Sequence, residues 1–261
     1  MMRSLFSAIS GLKGHQTMMD IVGNNIANVN TTAFKTGRIT FQDIISQTLR
    51  GAQAPGTSGG LNPMQVGLGM QAGSIDTLMT QGNLQSTGKP TDLAIQGDGY
   101  FALTVPGSAT PLYTRDGNFS IDANGDMVHA STGYKLSPSI NIPAGATNLN
   151  IAQNGAVSYT TSAGAAGTAG PITIATFPNP AGLERTGNNL YKASTNSGAA
   201  TAGTPGATGY GTINSGFLEM SNVDLSTQFT NMIIAQRGFQ ANSRVITASD
   251  QILEDLVNIK R

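Results

Sequence analysis

Large apolar residues recur at every seventh position near both ends of the chain. The N-terminal series is Leu5, Leu12, Met19 and Ile26, broadened by Phe6, Ile9 and Val22. The C-terminal series is Leu225, Met232, Phe239, Ile246 and Leu253, flanked by Phe229, Ile233, Val245, Leu256 and Val257. A seven-residue apolar repeat is the seam of a helix that lies along another helix. The pattern therefore predicts two long terminal helices that pair with each other or with copies in neighbouring subunits. Ser221, Asn222 or Asp224 can cap the second helix, and Lys260 and Arg261 suit its negative C-terminal end. At 1.5 Å per residue, a helix from 224 to 258 is on the order of 50 Å long and overhangs a domain of this size.

Between the ends the period changes. DLAIQ, YFALTV, LYTRDGNFSID, DMVHA, YKLS, LNIAQ, AVSYT and ITIATF are short strand candidates. Turn signals separate them at Gly97-Asp98-Gly99, Asp116-Gly117, Asn124-Gly125 and Asn154-Gly155. RGAQAPGTSGGLNP has no period and reads as a linker or extended arm, while SAGAAGTAG and ASTNSGAATAGTPGATGYGT read as surface loops. The fold class expected is α+β: terminal helices forming a coiled-coil-like unit, an extended arm, and an all-β middle. The boundaries expected are 1–30 for the first helix, 31–71 for the arm, 72–216 for the β domain and 217–261 for the second helix.

Composition narrows the chemistry. The 261 residues carry zero net charge, with only 11% charged, so the concentrated basic footprint of a nucleic-acid binder is missing. With no cysteine, disulfides, thiolate metal sites and cysteine nucleophiles are excluded. The N-terminal stretch is broken by Ser4, Ser7, Ser10 and Gly11, unlike a secretory signal, and no segment has the apolar length of a membrane span. If the protein leaves the cell it does so without a classical signal, and no membrane insertion is expected.

The motifs carry no catalytic pattern. DANGD, residues 122–126, starts like a calcium loop, but its glycine comes too early and Gly133 stands where a bidentate glutamate belongs, so a hairpin turn is expected. GLGMQAG lacks dinucleotide-loop spacing. His15 lacks the i±3 or i±4 acidic neighbours of a metal pair and His129 has only Asp126 at that spacing; both read as solvated or hydrogen-bonded side chains. No GxSxG elbow or carboxylate pair occurs. The chain reads as a non-enzyme with no catalytic residue, metal or cofactor. A secreted carbohydrate-active or calcium-binding β protein would need such groups.

SLFSAISGLKGHQTMMDIVGNNIANVNTTAFKTGRITFQD resembles the N-terminal motif of bacterial flagellar rod and hook proteins. GFLEMSNVDLSTQFTNMIIAQRGFQANSRVITASDQILEDLVNIKR resembles their C-terminal motif, and TDLAIQGDGYFAL with YTRDGNFSIDANGDMVHASTGYKL resembles the start of their β domain. The resemblance implies a helical homopolymer whose terminal helices line an inner channel. It implies passage through the flagellar type III export apparatus, growth beneath a hook cap, and contact with neighbouring rod and hook-filament junction proteins. NVNTTAFKTGRITFQD and PMQVGLGMQAGSIDT look closest to short hook proteins, so a flexible hook subunit is the expectation and the stiff distal rod the alternative. TLRGAQAPGTSGGLNP, residues 48–63, stands where a comparable stretch belongs in the distal rod.

Within that frame Asn24, Asn25, Asn28 and Asn30 mark the exit of the first helix. Asparagine weakens helices by offering the backbone competing hydrogen bonds. These amides are expected to satisfy freed helix-end carbonyls and to meet a neighbouring subunit, while Ile26 and Val29 keep the seam apolar. The heptad residues of the two helices, from Leu5 to Ile26 and from Leu225 to Leu253, are the expected assembly contacts. Both ends are expected to order on assembly.

Overall fold

A computed structural model of the chain describes residues 2–54, 59–108, 110–162 and 164–259. The chain divides into two compact units: one comprises residues 1–27, 37–77 and 224–261, the other 28–36 and 78–223. The segment 37–77 thus groups with the helices, where the sequence suggested a connecting arm over 31–71.

The first unit contains α1 (Met2–Ala27), β1 (Gly37–Asp43), β2 (Ser46–Arg50), β3 (Met64–Gly67), β4 (Met70–Thr77) and, at the far end of the sequence, α2 (Leu225–Asn258). β1 pairs antiparallel with β4, slipping register between Thr40 and Phe41, and the hairpin's inner part is the β2–β3 ladder. RGAQAPGTSGGLNP lies at the tip of this hairpin, where Gln53 bridges Leu61; its residues 55–58 fall outside the described residues. Gly69, just before β4, lies against α1; its φ of +127° suits glycine, and a Cβ there would overlap Ser10. The Ser10 hydroxyl accepts from the Met70 N–H at 3.2 Å.

α2 begins at Asp224. Of the three expected caps, this one accepts from the Ser226 N–H at 3.1 Å and from the Thr227 hydroxyl at 2.5 Å. Lys260 and Arg261 lie outside the described residues.

The second unit is all β apart from one short turn of 3₁₀ helix. In chain order it holds β5 (Leu84–Ser86), β6 (Leu93–Gln96), β7 (Tyr100–Thr104), β8 (Leu112–Thr114), β9 (Phe119–Ile121), β10 (Met127–His129), β11 (Lys135–Ser137), β12 (Thr147–Ile151), β13 (Ala156–Thr160) and β14 (Ala166–Pro171). β15 (Ile174–Thr176), β16 (Glu184–Gly187), β17 (Leu190–Lys192), β18 (Thr201–Gly203), β19 (Thr212–Ser215) and β20 (Phe217–Glu219) complete it. The main sheet runs β16-β17-β8-β7-β11-β10-β9, with β15 on β7 and β18 on β15. β12-β13-β14, β6 with β19, and β5 with β20 form smaller antiparallel sheets.

Alternation along β7 sets the two cores. Phe101 and Leu103 point into a cluster with Leu93, Ile95, Phe119, Met127, Leu136, Ile174 and Ile213, where Phe101 meets Phe119 edge-on at 5.2 Å. Tyr100 points the other way, to Tyr113, Phe177, Leu183 and Tyr191. DANGD is the β9–β10 hairpin turn, with Gly125 at φ +86°. Two stretches expected as loops instead pair as strands: β14 in SAGAAGTAG and β18 in the run from Ala193 to Thr212. Their backbones close ladders without alternating large side chains to announce them.

Candidate assembly site: the paired terminal helices

α1 and α2 lie antiparallel. Asn25 meets Gln228, Gly11 meets Asn242 and Gly238 meets His15, with the same number of residues between these contacts on both helices. What α2 buries is not its large apolar series but the positions three residues later: Gln228, Ala235 and Ser249 are buried and Asn242 half-buried. On α1, Ala8, Gly11, Gly14, Val22 and Asn25 are buried. Small residues bring the backbones close: a Cβ on Gly11 would lie 2.7 Å from the Asn242 amide, and one on Gly238 would overlap the His15 ring. On another side of α1, Gly14 faces Met70 and Phe41.

The apolar seam flanks this contact. Leu5, Leu12, Met19, Ile26, Met232, Ile246 and Leu253 are half-buried, while Leu225 and Phe239 are exposed. Beyond them Phe6, Phe229, Ile233, Ile252, Leu256 and Val257 stand in solvent, with Val257 71% exposed. Large apolar side chains standing open along one helix pair are the kind of surface that marks a contact site.

The four asparagines separate in role. α1 continues through Asn24 and Asn25 to Ala27, and the chain turns at Asn28, whose side chain accepts from the Thr31 hydroxyl at 3.0 Å. Asn24 and Asn30 are exposed. Asn25 does not serve the helix-end carbonyls: it donates to the Gly37 carbonyl at 2.8 Å and accepts from the Gly37 N–H at 3.0 Å. It also donates to Gln228 Oε1 at 3.1 Å. One side chain thereby joins α1, β1 and α2. His15 differs from expectation, since its Nδ1 is buried without a hydrogen-bond partner. His129 is hydrogen-bonded, to Asp116 at 3.4 Å and Thr132 at 2.9 Å.

Missed altogether was a charged cluster inside the second unit. Glu219 Oε1 accepts from Lys35 Nζ at 2.5 Å and from the Gly82 N–H at 2.9 Å, and Arg115 approaches Oε2 at 3.4 Å. Around it the segment 28–36 is threaded into the sheets. The Ala33 N–H bonds the Glu219 carbonyl at 2.8 Å, Asn189 bonds the Thr32 carbonyl at 2.9 Å, and Arg185 bonds the Lys35 carbonyl. Asn222 accepts from the Thr36 N–H at 2.8 Å and donates to the Leu78 carbonyl at 2.9 Å. Burial pushes the Lys35 ammonium below its ordinary pKa, against the pull of Glu219, and pushes the Tyr100 hydroxyl up to about 12. No spacing rule joins residues so far apart in sequence.

Three family descriptions match: "Flagella basal body rod protein" over residues 5–35, "Flagellar hook protein FlgE/F/G D1 domain" over 94–159, and "Flagellar basal body rod FlgEFG protein C-terminal" over 214–259. The flagellar basal-body rod protein FlgG of Bacillus subtilis is 51% identical over 268 residues, covering 100% of both chains. The chain belongs to the flagellar rod and hook protein family. FlgG of Borreliella burgdorferi is 41% identical over 266 residues, again covering 100% of both. The flagellar hook protein FlgE of the same organism is 29% identical over 443 residues, covering 100% of both. As a rod and hook family member the chain is a structural protein of the bacterial flagellum and not an enzyme. Among its described residues no helix is long and apolar enough to cross a membrane.

Proposed function

We propose that the chain is a subunit of the flagellar rod, polymerising with copies of itself into the stiff distal part of the drive shaft. One observation carries this reading: the chain aligns end to end with basal-body rod proteins of its own length, over 268 and 266 residues. The hook relative needs an alignment of 443 residues, so it contains a large stretch with no counterpart here. That reverses the order suggested by the sequence motifs, which favoured the hook with the distal rod as alternative.

The helix pair supports the polymer. Its inner face repeats in sevens, as does the flanking apolar series, in keeping with a coiled-coil-like unit. The exposed apolar residues at both ends of α2 suit contacts with other copies. Two unlike patches at opposite ends of one rod favour an open helical array over a closed dimer. Rod and junction proteins above and below, a cap during growth, and the type III export apparatus are the partners that this reading adds.

Electron microscopy of basal bodies from a strain lacking the protein tests it. The expected result is rods truncated before the outer rings. Complete rods bearing no hook would overturn the rod assignment in favour of the hook.

A further inference from the structure

The face that α2 turns toward α1 consists of Gln228, Ala235, Asn242 and Ser249, one heptad apart, beside Leu225, Met232, Phe239, Ile246 and Leu253. Such a face is nearly self-similar. Sliding α2 by one heptad, about 10 Å, returns a large apolar residue to each seam position and mostly small residues to the inner ones. Packing alone therefore discriminates weakly among heptad-related pairings.

Two contacts break the repeat. Asn25, 2% exposed, uses one amide hydrogen on the Gly37 carbonyl and the other on Gln228 Oε1. One heptad further along α2 stands Ala235, which has no side-chain acceptor, so a slip strands a buried N–H. The second contact is steric. The His15 ring occupies the space that Gly238 leaves by lacking a side chain. One heptad to either side stand Asn231 and Val245, whose side chains would fall on the ring.

We propose that Asn25–Gln228 and His15–Gly238 together form a register key that selects one of the heptad-related pairings of α1 and α2. Asn25 and His15 are positioning residues: they decide where α2 stops relative to α1. In the observed register, the end of α2 from about Ile252 runs past the start of α1, and Ile252, Leu256 and Val257 are 50%, 49% and 71% exposed. A slip in one direction lengthens that apolar overhang and a slip in the other covers it. A helical array repeats its contact in every copy, so the overhang must be uniform. The inference rests on the polymer reading for its purpose, though not for its geometry.

The chain has no cysteine, so paired substitutions report register cleanly. In the full-length protein, under conditions where circular dichroism shows both helices formed, Gly11→Cys with Asn242→Cys reports the observed pairing. Gly11→Cys with Ser249→Cys and Gly11→Cys with Ala235→Cys report slips in the two directions. Intramolecular disulfides are read as faster migration on a non-reducing gel. The unsubstituted key should allow only the first disulfide. Asn25→Leu with Gln228→Leu, and separately His15→Ala, which removes the ring that rejects Asn231 and Val245, should lower its yield several-fold while a slipped disulfide appears. Exclusive native cross-linking in the variants would overturn the proposal. So would loss of the native disulfide with no slipped product, since the contacts would then hold the pair together without choosing its register. Polymerisation is scored separately by microscopy of the unsubstituted chain, so failure to form tubes would count against the function and leave the register result standing.

Discussion

The Lys35 ammonium and the Glu219 carboxylate stand 2.5 Å apart, with side chains 1% and 0% exposed, at the point where three separate stretches of chain enter and leave the β unit. Arg115, just after β8, shares the same carboxylate, and the Gly82 N–H satisfies it from the irregular stretch leading to β5. Removing one partner of a buried ion pair leaves an uncompensated charge, which costs about 3–5 kcal/mol. Glu219→Gln should therefore lower the stability of the β unit by about that amount, measured by chemical denaturation. A loss within 0.5 kcal/mol, the ordinary range for surface changes, would show the cluster to be dispensable.

The β unit should fold by itself if its own boundaries are respected. The Leu78 N–H bonds the Thr36 carbonyl at 2.9 Å, so excising 37–77 brings hydrogen-bonded neighbours together through a short linker. A chain of 28–36 linked to 78–223 should give a cooperatively unfolding, soluble monomer. Ending it at Leu218 removes Glu219 and Asn222 and should abolish that cooperativity. Equal stability of the two versions would refute the placement of the boundary.

Leu253→Asp should block polymerisation while leaving the thermal unfolding of the β unit unchanged. Burying a lone carboxylate in an apolar contact costs several kcal/mol, incurred again in each subunit. Phe229→Asp, at a residue 51% exposed, tests the other end of α2 with less disturbance to the monomer. Normal filaments from both variants would remove α2 from the assembly contacts.

Two pH effects of opposite origin are expected. The Thr227 hydroxyl and the Ser226 N–H hold the Asp224 carboxyl below its ordinary 3.8, so its capping is fully present above that value and is lost as pH falls through the lowered one. Helicity should fray from the α2 N-terminus in acid, and Asp224→Asn should remove the pH dependence. At the alkaline end, burial raises Tyr100 from 10.0 to about 12, so its contribution to the β unit is complete below 10 and lost as pH rises toward 12. Lys35, pushed down by burial, works in the other direction between its lowered value and 10.5. Denaturation of Tyr100→Phe beside the parent isolates the tyrosine: its stability should fall less steeply above pH 10.

Periodicity made the terminal helices and most strands legible, because Phe101, Leu103, Phe119 and Met127 alternate on a buried face and Asn124-Gly125 sits between partners. It failed where side chains are small: Thr168, Ala169 and Gly170 in β14, and Thr201, Ala202 and Gly203 in β18, carry no pattern that separates ladder from loop. The β1–β4 pairing was hidden since its strands are separated by the whole β2–β3 ladder and by a Gly/Pro-rich tip that reads as a linker as readily as a turn. On α2 the apolar series announced a seam, yet the contact with α1 runs through Gln228, Ala235 and Asn242, whose shared spacing is visible only once it is known which face is covered. Asn25 was singled out for the right reason, competition with helix hydrogen bonds, but its partner is the backbone of Gly37. Rod and hook share these end motifs, which is why the rod proposal rests on alignment length and not on the motifs.

Residues 28–36, 78–82 and 219–223 are tied side by side within the β unit by Lys35, Asn222 and Glu219. A domain whose incoming and outgoing strands share one fastening behaves as a cassette. It can be exchanged, or enlarged at the far loops between its strands, without the rest of the chain registering the change. Growth by insertion would then lengthen those far loops while the fastening at Glu219 keeps its dimensions.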